Sequence, residues 1–445
     1  MPHPTTFAHD PVAWPVRDRV RALQRLIPRR ERQRILDQLD PDARRCPRIP
    51  GWFLLGFVVG LGLFAPDSYR QVFRWLSPRR SPAPGRSTLA MARQRLGVEP
   101  LRRLASAVVR LLADPARHPK AFWRGRRLLA LDGFRLDLPD TPENARHFGR
   151  PEGGRAAGAF PQVRVTALCE LGTHVLWRWV AGPLSVGETT QARELFAQLP
   201  AGCLLLGDRA YGNYPAVRAV RARRADVLVR LKGQGKFRER QRLADGSYLA
   251  RIYPSVYDRN RDRNGTDVRI IRYRPGNGKA HRLLTTLLDV AGGSAEELVA
   301  LYHARWEEEL SIDEVKTHLL DGAALRSQTV GGVEQEVEGV MMSHYLIRVL
   351  IVEAATVAGL EPTELSFVGA LKILRCRLGE CGGVRDVRRW FEALVAEVAA
   401  EERLPARRTR RNPRVVRKKM SKWPKKRRPK RRPRPAIRYK VRVLR

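Results

Sequence analysis

Apolar residues recur at helical spacing over about the first 120 residues of the chain, and in short strand-like runs after about residue 126. The segment 15–120 therefore predicts a mostly helical region. Its most apolar stretch, 51–65, is shorter than the roughly 20 residues that a bilayer span needs, which favours a buried helix. Two short helices predicted at 68–76 and 87–96 fit either a helix-turn-helix DNA reader or an ordinary helical bundle.

The second of these short helices carries two arginines, Arg93 and Arg95. In a helix-turn-helix these side chains would contact DNA. In a helical bundle they would belong to a basic face exposed to solvent. The pattern of residues leaves both interpretations open.

After residue 126, apolar runs alternate with helical segments, which is typical of an α/β fold with a mixed or parallel sheet. Strands are predicted at 128–131, 163–170, 174–181, 203–207, 227–231 and 283–288. Helices are predicted at 188–199, 214–224 and 294–320. The polar segment 232–282 interrupts this order and predicts a β-rich insertion.

The charge of the chain points to a polyanionic partner. Its 445 residues include 85 Lys and Arg against 45 Asp and Glu, a formal net charge of +40. Such a protein is attracted to nucleic acid and is a poor candidate for basic small-molecule substrates. Residues 407–445 hold 21 Lys and Arg, five prolines and no acid. We expect this tail to be disordered and to bind DNA without sequence preference, or to serve solubility alone.

The cysteines suggest a reduced, intracellular setting. Five cysteines are too few and too scattered for a disulfide framework in a chain of this length. Cys376 and Cys381 form a C-x4-C pair without a second pair, which is weak evidence for zinc. The N-terminus lacks the charged start and apolar run of a signal peptide.

Two aspartates follow apolar runs, where strands are expected to end. Asp132 comes directly after 128–131, and Asp208 comes directly after 204–207. A carboxylate at the open edge of an α/β sheet is well placed to hold a divalent cation. Because Asp also commonly caps turns, a structural role remains an alternative for either residue taken alone.

The helix predicted at 294–320 brings four polar residues onto one face. At about 100° per residue they lie within a stripe roughly 60° wide. These residues are Tyr302, Arg305, Glu309 and Lys316. In this projection Glu307 and Glu308 point away, and Asp313 borders the stripe as a rival carboxylate. A solvent-exposed stripe of ion pairs is the alternative interpretation.

The four residues match the pattern Tyr-x2-Arg-x3-Glu-x6-Lys. Together with the two aspartates, this pattern resembles the DDE transposases of the insertion-sequence-4 type. Asp132 resembles the first aspartate of that family and Asp208 the second. The resemblance extends over about residues 50–350.

The resemblance implies an α/β fold with an RNase H-like mixed sheet, flanked by helices and carrying the β-rich insertion. It implies a helical N-terminal DNA-binding domain at 1–120 and a catalytic domain at 121–405, followed by the disordered basic tail at 406–445. The implied function is that of an insertion-sequence transposase, which cleaves DNA ends and transfers strands by in-line phosphoryl transfer. Implied partners are double-stranded DNA at transposon ends and target, and a second copy of the chain in a synaptic dimer. A bacterial, cytoplasmic and nucleoid-associated location without membrane contact is also implied.

The family roles carry over residue by residue. The implied catalytic residues, which would ligate two Mg²⁺ or Mn²⁺ ions, are Asp132, Asp208 and Glu309. The implied phosphate contacts are Tyr302, Arg305 and Lys316. Trp306 would stack on a displaced base, with packing in the core as the alternative.

The sequence leaves two alternatives open. Some relatives place a tryptophan in the insertion to receive a flipped base, and this insertion has none, so excision through a DNA hairpin is undecided. The aromatic residues that could substitute by type are Phe237, Tyr248, Tyr253, Tyr257 and Tyr273. The alternatives to an active transposase are a catalytically silent DNA-binding protein on the same scaffold and a structure-specific nuclease.

Overall fold

The computed structural model covers most of the chain. It describes residues 34, 35, 37, 49–77, 82–153, 156–157, 160–233, 237–275, 279–380, 387–405 and 441–443. Most of the basic tail and Cys381 of the C-x4-C pair lie outside the described residues.

The elements are numbered here in chain order. The helices are α1 (Gly51–Leu63), α2 (Tyr69–Leu76), α3 (Arg86–Leu96), α4 (Glu99–Val108), α5 (Pro142–Phe148), α6 (Glu188–Phe196), α7 (Tyr214–Ala222), α8 (Val256–Asn260), α9 (Ala295–Tyr302), α10 (Trp306–Asp313), α11 (Val330–Ala358), α12 (Phe367–Arg377) and α13 (Val387–Glu401). The strands are β1 (Phe122–Trp123), β2 (Arg126–Asp137), β3 (Glu152–Gly153), β4 (Ala156–Ala157), β5 (Gln162–Glu170), β6 (Val175–Gly182), β7 (Leu204–Gly207), β8 (Asp226–Arg230), β9 (Gln241–Arg242), β10 (Tyr248–Ile252), β11 (Thr266–Pro275), β12 (His281–Thr285) and β13 (Val441–Val443).

One mixed sheet forms the centre of the molecule, with the strand order β6-β5-β2-β7-β8-β12-β11-β10-β9. β5 and β6 form the predicted antiparallel hairpin, whereas β2, β7 and β8 run parallel. The first five strands of this order place two antiparallel strands beside three parallel ones. This is the RNase H-like arrangement that the family resemblance implied, and the fold class is confirmed.

The predicted insertion at 232–282 continues the same sheet. β12 pairs antiparallel with β8, and β11, β10 and β9 follow it outward. β13 pairs with β11 opposite Tyr273–Pro275. The alternating Val-Arg-Val at 441–443 suits an edge strand, because its backbone groups find partners in β11.

The N-terminal helices pack on the central helix α11. A Cβ atom on Gly339 of α11 would lie 2.3 Å from the carbonyl oxygen of Val58, so glycine is required for this close approach to α1. Residues of α1–α4, of β2, β5 and β6, and of α11 share one hydrophobic cluster. Among the described helices, α11 alone is long and apolar enough to cross a membrane, and 78% of its apolar window is buried inside the fold.

The long helix predicted at 294–320 is irregular. After α9, a 3-10 turn spans His303–Arg305, α10 follows, and a π-helical segment spans Glu314–Leu319. A 3-10 turn advances about 120° per residue where an α-helix advances about 100°. Over three such residues the difference adds up to about 60°, so the side chains after Arg305 are rotated by about 60° around the helix axis relative to a uniform α-helix.

Candidate active site

The two predicted aspartates lie side by side where the parallel ladder between β2 and β7 ends. Leu131 and Gly207 form the last pair of that ladder, and Asp132 and Asp208 are the next residues on the two strands. The expectation that the first strand ends at Asp132 was wrong, because β2 continues to Asp137 along β5. The parallel neighbour ends there, which leaves both side chains at an open edge of the sheet.

Each aspartate accepts a hydrogen bond from a backbone amide one or two residues further along the chain. Gly133 donates to Asp132 Oδ1 at 2.8 Å, and Ala210 donates to Asp208 Oδ1 at 2.6 Å. Burial raises the pKa of Asp132 to about 6, and the negative charges of Glu188 and Asp208 add to this rise. The positive charge of Arg305 therefore does not fully offset the burial of Asp132 and the negative charges near it.

Arg305 connects this edge of the sheet to the helix. Its guanidinium lies 3.5 Å from Asp132 Oδ2 and donates to Glu309 Oε1 at 2.7 Å. The rival acid Asp313 is exposed and accepts a hydrogen bond from Thr317 at 2.6 Å. The arrangement therefore associates Glu309 with Asp132 and leaves Asp313 on the solvent side.

The acids open onto two cavities. Asp132, Glu309 and Lys316 line a cavity of about 610 Å³. Asp208 lines a second cavity of about 640 Å³. The basic side chains of the second cavity are Arg209, Arg230 and Lys232. Acids of this kind can bind cations, and the basic side chains beside them can contact the phosphates of a substrate.

Glu308 belongs to this centre, although the sequence predicted that it points away. It is fully buried, and neither carboxylate oxygen has a hydrogen-bond partner among the described residues. Burial raises the pKa of Glu308 well above its ordinary value, and the charges of Asp132, Glu188 and Asp208 contribute. The 3-10 turn explains the difference, because the extra rotation of about 60° carries Glu308 toward the aspartates.

Glu188 is the acidic residue near the site that sequence reasoning missed. It is the first residue of α6 and accepts a hydrogen bond from the Tyr211 hydroxyl. A Glu at the start of a helix is common for reasons of capping and helix dipole alone. The linear pattern around it therefore held no signal that it would lie near Asp132.

The carboxyl groups at this site have the chemistry that a divalent cation requires. Carboxylate oxygens are the ligands that Mg²⁺ and Mn²⁺ prefer. The oxygens of Glu308 have no hydrogen-bond partner among the described residues, and the carboxyl group of Asp132 lies at the open edge of the sheet. Within the described ranges, no three Asp, Glu, His or Cys side chains converge closely enough to enclose an ion, and Arg305 bridges Asp132 and Glu309 instead.

The remaining residues of the predicted helix face differ in exposure. Tyr302 is buried and donates to the Gly207 carbonyl at 3.2 Å, directly before Asp208. Trp306 is 47% exposed, so the alternative of core packing does not describe it. Lys316 is exposed. Tyr302 thus supports the end of β7, while Trp306 and Lys316 reach the surface.

The two N-terminal arginines have different surroundings. Arg93 is only 3% exposed and donates to Gln335, Ser327 and the Gly332 carbonyl. It ties α3 to the start of α11, which corrects the expectation of a DNA contact and favours the helical bundle. Arg95 is exposed on the same helix.

The aromatic residues of the insertion separate into two groups. Tyr248 and Tyr273 are buried in the sheet, where a base cannot reach them without rearrangement. Tyr257 is 62% exposed, and Phe237 and Tyr253 line a cavity rich in arginine.

A second buried acid, Glu314, lies on the π-helical segment. It accepts from Arg348 Nε at 2.9 Å and hydrogen-bonds to His174 at 3.0 Å and His344 at 2.9 Å. Burial alone would raise its pKa, but the charges of Arg348 and His174 hold the pKa of Glu314 well below its ordinary value. His174 also hydrogen-bonds to Glu307 at 2.8 Å. This cluster fastens the helix of the site to α11 and to the turn between β5 and β6.

Comparison with known proteins shows the family of the chain. The family model described as "Transposase DDE domain" matches residues 123–346, and the model described as "Insertion element 4 transposase N-terminal" matches residues 17–106. The transposase InsG for insertion sequence element IS4 of Escherichia coli (strain K12) is 29% identical over 390 residues. That match covers 85% of this chain and 87% of the relative.

A solved structure of the piggyBac transposase synaptic complex with hairpin DNA is also similar. Its TM-score is 0.45 at 11% identity, and the match covers 86% of each chain. The family-model matches show that the chain belongs to the DDE transposases. Within that family it is an insertion-sequence transposase of the IS4 type. Transposases of this kind bind, cleave and transfer DNA, and DDE enzymes generally use divalent metal ions.

Proposed function

We propose that this chain cleaves DNA at the ends of its own element and joins those ends to target DNA, with Asp132, Asp208 and Glu309 as its DDE triad. One observation carries the proposal. The β2–β7 register sets the two aspartates side by side, and Arg305 ties Glu309 to the first of them. Two bound Mg²⁺ or Mn²⁺ ions would activate water or a 3′-hydroxyl and stabilise the leaving oxygen.

The basic residues of the helix would orient the DNA strand. Arg305 forms ion pairs with Asp132 and Glu309. If cations bound to those acids, the guanidinium would be free to donate two hydrogen bonds to one phosphate. Lys316 offers a point charge at the rim of the same cavity. The exposed indole of Trp306 suits stacking on a displaced base.

Cleavage of DNA that carries the ends of the element tests this assignment. Asp132→Ala, Asp208→Ala and Glu309→Gln should each abolish Mg²⁺-dependent cleavage by the full-length protein while DNA binding persists. Asp313→Ala is the matched control, since Asp313 lies on the same helix but on its solvent side, and this variant should stay near wild-type activity.

Full activity in any of the three variants would overturn the site. Loss of activity in Asp313→Ala alone would show that the third acid was chosen wrongly. Intact DNA binding without cleavage by the wild-type protein, in either Mg²⁺ or Mn²⁺, would favour a catalytically silent DNA-binding protein. Cleavage without strand-transfer products would favour a nuclease.

The basic tail and a synaptic dimer complete the proposal. Deletion of 407–445 should weaken DNA binding and flatten its salt dependence, because fewer phosphate counterions are then released. Binding measured across a salt series checks this, with cleavage at saturating DNA expected to remain. Loss of that cleavage in the folded, truncated protein would show that the tail contributes to catalysis. Sedimentation of the complex with two DNA ends should show two protein copies.

A further inference from the structure

Helix α6 places a carboxylate against the residue that follows Asp132. Glu188 fills the space that a side chain on Gly133 would need, since a Cβ atom there would lie 2.7 Å from Glu188 Cδ. Gly133 does not have a positive φ, so its backbone conformation does not demand glycine. A side chain at position 133 would therefore require the Glu188 side chain to move.

The same carboxylate is joined to the turn that follows Asp208. The Tyr211 hydroxyl donates to Glu188 Oε1, and Tyr211 is 2% exposed. Its ring stands edge-on to Phe196 at the other end of α6, with the centroids 6.2 Å apart. Tyr211 therefore lies along α6 and connects this helix to the second aspartate.

A third contact fixes the first turn of α6 on the sheet. Thr166, which stands opposite Gly133 in the ladder between β2 and β5, donates to Gln191 Oε1 at 2.6 Å. Gln191 lies one helical turn after Glu188. The position of the Glu188 carboxylate is thus set by contacts on the side of Asp132 and on the side of Asp208.

These contacts do not require a negative charge. A glutamine would fill the same volume, and its amide oxygen would accept the hydrogen bond from Tyr211. The carboxylate adds a negative charge beside Asp132, because Glu188 Cδ lies 2.7 Å from the position that a Cβ atom on the adjacent Gly133 would take. Such a like-charge arrangement is unfavourable in the protein alone and becomes favourable beside a cation.

We propose that Glu188 is a positioning residue of the metal centre. It holds Gly133 and the Tyr211 turn in place, and its charge strengthens cation binding by Asp132 and Asp208. The inference rests on the proposed function, because it requires that these aspartates bind a divalent cation.

Binding of Mn²⁺ alone to the full-length protein, followed by electron paramagnetic resonance, tests the role of the charge. Glu188→Gln should weaken Mn²⁺ binding by about tenfold, as removal of an outer-shell partner usually does. The midpoint of thermal unfolding without metal should stay unchanged or rise, since a repulsive charge is lost. Glu194→Gln, at an exposed position of the same helix, is the matched control and should change neither quantity.

Tyr211→Phe tests the hydrogen bond separately. It keeps the ring and the charge of Glu188, so we expect a smaller loss of Mn²⁺ affinity than in Glu188→Gln.

Unchanged Mn²⁺ binding in Glu188→Gln, with or without a lower unfolding midpoint, would overturn the inference. This result would count against Glu188 alone if Asp132→Asn loses Mn²⁺ binding in the same assay. Retained binding in Asp132→Asn, or no binding by the wild-type protein, would count instead against the proposed function.

Discussion

Glu308 and Glu314 are buried acids on one helical run, yet their surroundings are opposite. Glu308 has no hydrogen-bond partner for either carboxylate oxygen among the described residues, and its pKa is raised. Glu314 has an arginine and two histidines as partners, and its pKa is lowered. The protein therefore supplies counter-charges and hydrogen-bond donors to Glu314 and supplies no hydrogen-bond partner to Glu308 among the described residues. Buried polar groups are usually paired, and this exception lies beside the residues that we propose as the catalytic triad.

The balanced region around Glu314 also stores local strain. His174 has a φ of 57°, which is uncommon for a residue other than glycine. Its ring is held between Glu307 and Glu314, so the surrounding contacts maintain this conformation. The helix that carries Glu309 is thereby fixed at both ends of α10, which gives the region around Glu308 a rigid support.

Removal of the arginine from the balanced cluster should have the largest effect. Arg348→Met leaves Glu314 buried without its main counter-charge, and we expect a loss of about 3–5 kcal/mol in the free energy of unfolding. Urea unfolding of the metal-free protein at pH 7 measures this. Arg388→Met is the control, because its ion pair with Glu392 is exposed, and it should cost less than about 1 kcal/mol. A loss in Arg348→Met no larger than in the control would break the comparison.

The two regions should respond to pH with opposite sign. The folded protein holds the Asp132 proton up to about pH 6, whereas the unfolded chain releases it near 3.8. Stability of the metal-free protein due to this group therefore falls as pH rises from about 4 to about 6. In Asp132→Asn this fall is absent, so between pH 4 and pH 7 the variant should gain about 3 kcal/mol relative to the wild type.

Paired urea titrations in a chelating buffer check this difference. His344, in the balanced cluster, has a lowered pKa because it is buried, so its contribution is lost as pH falls below about 6.5. A constant difference between wild type and Asp132→Asn across pH would contradict the raised pKa of Asp132.

Replacement of the unpartnered acid should be favourable for stability. Glu308→Met keeps a similar volume and removes a carboxyl group whose hydrogen-bonding capacity is unmet, so the metal-free protein should gain about 1–2 kcal/mol at pH 7. The same unfolding assay measures the change. A marked loss of stability would show that Glu308, like Glu314, has a partner that stabilises it.

The smallest effect should come from the hydrogen bond behind Asp208. Tyr302→Phe removes the donor to the Gly207 carbonyl and should cost about 1 kcal/mol in the free energy of unfolding. Since Tyr302 is buried, DNA affinity should change little. A large loss of DNA affinity at unchanged stability would support the direct phosphate contact that the sequence predicted.

Local patterns predicted much of this molecule. Strand alternation and apolar runs located β5, β6, β7 and β8, and helical spacing located α1, α6 and α7. Asp132 and Asp208 could be placed together because neighbouring parallel strands bring the residues after their last paired positions to one edge. These predictions succeeded because backbone periodicity and burial of one face depend mainly on nearby residues.

Other residues of the site could not be placed from the pattern. The uniform helix projection failed at Glu308, because a 3-10 turn changed the rotation after Arg305. Arg93 was expected on a surface but lies in a network with α11, more than two hundred residues away. Glu188 has no motif around it, and its role depends on a helix packed across Gly133.

The sequence by itself determined the fold class, the two aspartates at one sheet edge, the spacing of Tyr302, Arg305, Glu309 and Lys316, and the excess of positive charge. The tertiary structure alone decided which buried acids receive partners and which do not. The physical reason is that the ionisation of a buried carboxyl group depends on solvation and on charges brought close by packing. Those distances follow from helix rotation and long-range contacts, which no local pattern of residues encodes.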